Sequence, residues 1–235
     1  MKFFLTTVLS LVLFVFTNCG TTNREDNTSQ KIANYLFELE KAGFYGAVLV
    51  ELPGEPILSK GYGFSNKARQ MRNSPASIFD IGSITKQFTA AAILKLEMQG
   101  KLSTNDTISR YFENVPKDKA NITIHDLLRH QSGLISNVGK DYEQIREAEF
   151  LTKVLSSPLR FESGTAFSYS NIGYSLLAMI VEKVSGQDYE SFLYENLWRP
   201  AQMEMTGYSR PDFDTTLVAV SYFQDDSIWG KPIDM

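Results

Sequence analysis

The chain has 235 residues, of which 43% are hydrophobic and 21% charged, and its formal net charge is −4. That length suits one large domain or two small ones, with enough apolar content for a real core. The acidic balance without a basic cluster argues against nucleic acid as a partner, and a single cysteine rules out a disulfide within the chain.

The N-terminus reads as an export signal rather than as part of the fold. Lys2 precedes an apolar run over 3–16, too short to span a membrane comfortably. The sole cysteine, Cys19, follows that run directly in the stretch Phe16-Thr17-Asn18-Cys19-Gly20. This is similar to a bacterial lipoprotein signal, whose cysteine becomes the lipidated first residue. Phe16 and Asn18 depart from its usual Leu and small residue, so a plain cleaved signal is the alternative. Residues 1–18 are therefore expected to be a signal peptide. The polar segment 19–29 has the composition of a flexible tether. The resulting expectation is an exported protein of the cell envelope, held to the membrane by a lipid on Cys19.

A first helix is expected over 30–42, stopped by Gly43, with Ile32, Tyr35, Leu36 and Leu39 on one face. Residues 44–52 and 57–64 read as two strands joined by a turn at Pro53-Gly54-Glu55-Pro56. One hairpin is barely stable alone, and without further strands it would expose Val48 and Val50. After a loop over 75–82, a central helix is expected over 83–99, ended by Gly100. Further helices are expected from Thr123 toward Gly133, over 142–155, over 171–184 with Gly186 as stop, and over 189–197. A strand pair followed by a large helical region predicts an α+β fold.

Two stretches carry chemistry. In Asp80-Ile81-Gly82-Ser83-Ile84-Thr85-Lys86 a serine opens a helix and a lysine follows three residues on. Residues i and i+3 are neighbours on a helix, so Lys86 lies beside Ser83. The bland reading is a helix cap with a solvated lysine, because Ser-x-x-Lys arises about once by chance in a chain of this size. In Phe167-Ser168-Tyr169-Ser170-Asn171 a tyrosine and an asparagine lead into a helix. The same Tyr-x-Asn spacing at Tyr194-Glu195-Asn196 lies inside an amphipathic segment, where packing explains it. The two histidines, His125 and His130, are five apart, not the four that would place both on one helical face as zinc ligands.

Together these segments resemble the serine β-lactamase and penicillin-binding-protein superfamily, in particular its branch of class C β-lactamases, D-Ala-D-Ala carboxypeptidases and related esterases. The likeness extends to Gly100-Lys101-Leu102-Ser103, to Leu127-Leu128-Arg129-His130-Gln131-Ser132-Gly133-Leu134 and to Ser163-Gly164-Thr165, in family order from 44 to 222. It implies a β-lactamase-like fold over 30–235: an antiparallel sheet flanked by helices. It further implies Ser83 as acyl nucleophile, with Lys86 and Tyr169 moving its proton. Asn171 would position substrate or Lys86, and His130 would be structural. No metal and no cofactor are implied. The substrate would be a β-lactam, a D-Ala peptide of peptidoglycan or a small ester. Relatives also carry a Lys/His-x-Gly strand beyond the helical region. No counterpart is found before Met235, nor are the C-terminal strands, so the domain is expected to be incomplete at that end. The competing expectation is a catalytically inactive envelope binding protein of the same fold.

Overall fold

The computed structural model describes residues 22–139, 143, 145–208, 214–223 and 227–230. Cys19 and the signal segment lie outside them. The chain divides into two compact units, Met1–Ser77 and Ile78–Met235.

In the first unit, helix α1 (Thr22–Lys41) precedes a hairpin of β1 (Gly46–Leu52) and β2 (Glu55–Tyr62), then a short ribbon of β3 (Phe64–Asn66) and β4 (Met71–Arg72). The helix begins eight residues before the expected 30, so most of the segment read as a tether is helical. The run Asn23-Arg24-Glu25-Asp26 lacks Gly and Pro, and polarity alone does not stop a helix. Pro53-Gly54 makes the tight turn, with Gly54 at φ +104°, and β2 starts two residues before the expected 57. Against expectation, Val48 and Val50 are half-buried, and Leu49 on the opposite face is 61% exposed. Tyr62 and Leu36 are buried. Ser29 Oγ donates to the Ile57 carbonyl at 2.7 Å, tying α1 to β2. Gly61 permits a close approach there, since a Cβ would lie 2.0 Å from the Asn73 carbonyl oxygen.

The second unit is mainly helical: α2 (Lys86–Met98), α3 (Ile124–Leu128), α4 (Glu147–Ser156), α5 (Asn171–Ser185) and α6 (Tyr189–Leu193). Three alanines with Leu, Lys, Glu and Met favour α2 intrinsically. It ends in a Schellman pattern: Gly100 at φ +68° donates to Glu97 O, and Lys101 donates to Leu96 O. Ala92, Ile93 and Leu96 of α2 pack with Ile172, Leu176, Leu177 and Ile180 of α5 in one fully buried cluster with Trp198. Each such aliphatic side chain stabilises the fold by about 1.5–3 kcal/mol. Ser170 caps α5 by accepting from Gly173 N, and Gly186 ends it in the left-handed region at φ +70°.

Three expected boundaries move. α3 stops at Leu128 rather than near Gly133, and α4 begins only at Glu147, after the Arg146 N-cap. Helix α6 gives way to a π turn over Tyr194–Trp198. The expected single sheet is instead three separate two-stranded pieces among the described residues. One of them, β5 (Ser221–Tyr222) with β6 (Ile228–Gly230), is a C-terminal ribbon that the sequence reading did not contain. Strands of two and three residues are too short to show alternation.

Candidate active site

Ser83 lies in a 3₁₀ turn, Gly82–Thr85, that runs directly into α2, so Lys86 is the first residue of that helix. The turn is set by Asp80, whose Oδ1 accepts from Gly82 N at 2.8 Å, with Gly82 at φ +49°. Its residues are not buried, which leaves the serine open to solvent. The first N–H groups of a helix have no intrahelical acceptor, so the N–H of Ser83 is placed to serve a developing oxyanion.

The i,i+3 spacing brings Lys86 Nζ to 3.3 Å from Ser83 Oγ. Tyr169 reaches the same oxygen from 86 positions away, its hydroxyl donating at 2.7 Å. Lys86 also hydrogen-bonds the Tyr169 hydroxyl and lies 5.0 Å from the centroid of its ring and 5.6 Å from that of Tyr174. Three expected residues thus converge on one oxygen. Burial raises the Tyr169 pKa, but the contacts with Lys86 and Ser83 and the lysine charge outweigh it and leave the phenol more acidic than an ordinary tyrosine.

Asn171 opens α5, exposed, with its Nδ2 donating to Asn137 Oδ1 at 2.8 Å. Of the two roles expected for Asn171, positioning substrate or Lys86, its side-chain bond here goes to Asn137, while Lys86 is engaged by Ser83 and Tyr169. The backbone also joins these segments, because Asn171 N donates to the Ser136 carbonyl at 2.9 Å. The control pair Tyr194-x-Asn196 lies elsewhere: Tyr194 packs on the core, and Asn196 Nδ2 bonds the Phe192 carbonyl.

His130 supports Tyr169 from behind. Its ring lies 4.5 Å from that of Tyr169, tilted by 34°, and 5.1 Å from that of Tyr174. Its Nδ1 accepts from Ser170 N at 3.2 Å, so the proton of the neutral ring sits on Nε2. Burial first, then the Lys86 charge, lower its pKa. Its backbone is left-handed at φ +56°, uncommon for a residue with a side chain. His125 is placed in α3 instead, among the capping contacts that Thr123 and Asp126 make.

Sequence reasoning missed the partners Asn137, Ser136, Tyr174 and Arg160. Tyr174, which donates to the Leu128 carbonyl at 3.1 Å, was reachable because it follows Asn171 at i+3. The others come from distant loops and leave no local signal. A part-buried hydroxyl pair joins α2 to α6. Thr89 Oγ1 and the Tyr189 hydroxyl lie 2.6 Å apart, and Tyr208 continues the chain from Tyr189 to Thr85.

The beta-lactamase family model matches residues 32–234. The chain belongs to the beta-lactamase family. It is 32% identical over 199 residues to the putative penicillin-binding protein PbpX of Bacillus subtilis, covering 85% of this chain and 49% of that protein. The chain spans about half the length of the curated relatives it matches. Among solved structures, FmtA from Staphylococcus aureus aligns with a TM-score of 0.77 at 26% identity, over 89% of this chain and 58% of that one. A class C beta-lactamase aligns at 0.76 and 23% identity, over 88% and 58%, which speaks for the fold alone. The α+β reading and the expected superfamily therefore hold.

Proposed function

We propose that this protein is a serine hydrolase that passes through an acyl-enzyme on Ser83. The observation that carries the reading is the double contact on Ser83 Oγ, with Lys86 Nζ at 3.3 Å and the Tyr169 hydroxyl at 2.7 Å. Serine is a poor nucleophile without a base, and a phenol made acidic by a neighbouring ammonium is a base at accessible pH.

In acylation Tyr169 acts as the phenolate: the Ser83 Oγ–H bond breaks and its proton passes to the phenolate oxygen. A bond forms between Oγ and the acyl carbon. The carbonyl π pair moves onto its oxygen, which the Ser83 N–H stabilises. Collapse of that oxyanion expels the amine or alkoxide, which takes the proton back from Tyr169. Water then enters by the same steps and frees the acid. Lys86, with its Nζ 3.3 Å from Ser83 Oγ, stabilises that phenolate by its charge. The names of the relatives support a substrate that is a β-lactam, a D-Ala peptide of peptidoglycan or a small ester. The apolar run and Cys19 support export and lipid anchoring in a bacterial envelope.

The test is covalent labelling. The wild-type chain should gain the mass of a fluorescent penicillin or a fluorophosphonate, and Ser83→Ala should not. Equal labelling of Ser83→Ala would defeat the assignment, and absence of labelling in the wild type would favour the inactive binding protein.

A further inference from the structure

We propose that Arg160 recognises a carboxylate on the substrate of the Ser83 site, an inference that rests on the serine hydrolase reading above. Arg160 Nη1 donates to Ser136 Oγ at 3.1 Å and to Ser168 Oγ at 3.0 Å. Both acceptors are chain neighbours of site residues. Ser168 precedes Tyr169 in the chain, and Ser136 precedes Asn137, whose side chain holds Asn171.

The donor count is informative. A guanidinium has five N–H groups, and the two on Nη1 are used. The Nε proton and both Nη2 protons form the edge that suits bidentate binding of a carboxylate. The charge is also unspent. Arg72, Arg110, Arg146 and Arg199 each pair with an acid, whereas Arg160 has no carboxylate within 4.0 Å among the described residues. Arg69 and Arg129 lack one there too, but no side-chain bond holds either guanidinium. Among the described residues, Arg160 is the arginine that is both held and unneutralised.

The holding is firm. Arg160 N donates to the Gly133 carbonyl at 2.8 Å. Gly133 lies so close to the next residue that a Cβ would sit 2.1 Å from the Phe161 carbonyl oxygen. Arg160 is thus fixed at its backbone to the segment that carries Asn137, and at its head to the residue beside Tyr169. Fixing a long side chain in advance removes part of the entropic cost of binding. Two neutral hydroxyls do this without cancelling the charge. A β-lactam and a D-Ala peptide both present a carboxylate, whereas a simple alkyl ester does not, so Arg160 favours the first two.

The experiment uses aryl esters in matched pairs, differing only by a carboxylate or its carboxamide, placed on the acyl part in one pair and on the leaving group in the other. The readout is the ratio of kcat/KM within each pair. The wild type should prefer the carboxylate in at least one pair by about 10- to 100-fold, the scale of a hydrogen bond to a charged group. The ratio should fall close to one in Arg160→Gln and lie between in Arg160→Lys, which keeps the charge but loses the fork. A wild-type ratio near one, or a ratio unchanged in Arg160→Gln, overturns the proposal. The second result would leave Arg160 as a brace between loops. Neutral fluorophosphonate separates the two readings. If it fails to label Ser83, both fall; if it labels Ser83 and the ratio does not move, only the role of Arg160 falls.

Discussion

Tyr169 sits between opposing influences. Burial favours the neutral phenol, whereas the contacts with Lys86 and Ser83 and the lysine charge favour the phenolate, so the net shift is downward. The Tyr169 contribution to an ultraviolet titration, taken as wild type minus Tyr169→Phe, should therefore have its midpoint below the ordinary value of about 10. Removing the cation removes what stabilises the anion, so Lys86→Met should move that midpoint upward; a midpoint unchanged in Lys86→Met would show that the lysine does not tune the phenol. In turnover, Tyr169→Phe should slow acylation by at least ~10²-fold, with Tyr194→Phe, which packs on the core, close to wild type. At this scale the sequence was unevenly legible. Ser83 and Lys86 could be read because three residues of helix bring them together. Tyr169 could be read only through the family resemblance. The bonds from Asn171 to Asn137 and from Arg160 to Ser136 join segments 34 and 24 residues apart, and no local pattern encodes such pairings.

The turn before α3 shows how one carboxylate can hold an element. Asp106 accepts from Ser103 N at 2.8 Å, from the Tyr111 hydroxyl at 2.6 Å and from Arg110 Nη1 at 2.7 Å. Its backbone carbonyl accepts from Ile124 N at 2.9 Å, at the start of α3. Burial raises its pKa, but the bonds from Tyr111, Ser103 and Arg110 outweigh it and the net shift is downward. A depressed carboxylate contributes stability that is present above its unfolded value, near 3.9, and is lost as pH falls through the folded value. Asp106→Asn should therefore cost about 1–3 kcal/mol at neutral pH. The gap in Tm between it and wild type should close as pH falls below about 4. A gap independent of pH would show that the charge of Asp106 is not what stabilises the turn. Among elements, the helices were the most readable: α5 has one apolar face, α2 is apolar round much of its circumference, and they end at Gly100 and Gly186. The ribbons β3–β4 and β5–β6 were not, because pairing partners of two or three residues are chosen by tertiary context rather than by their own pattern.

For the whole molecule, the proposed anchor lies in the segment before α1. Lipidation of Cys19 predicts that the wild type partitions into detergent from bacterial membranes with an added fatty-acid mass, and that Cys19→Ala is released or left uncleaved. Membrane release that is the same for both, with no fatty-acid mass on the wild type, would sink the anchor. No helix among the described residues is long and apolar enough to cross a membrane. The chain has two tryptophans, and Trp198 is buried to 2% exposure, edge-on to Phe88 with ring centroids 5.6 Å apart. Phe88 lies two residues beyond Lys86 on the helix that Ser83 opens into. The indole Nε1 has no hydrogen-bond partner among the described residues, an apolar setting in which tryptophan emission is sensitive to small displacements. With Trp229 replaced by phenylalanine, Trp198 becomes an intrinsic fluorescent reporter of the nucleophile's helix, readable in a stopped-flow cell without any attached dye.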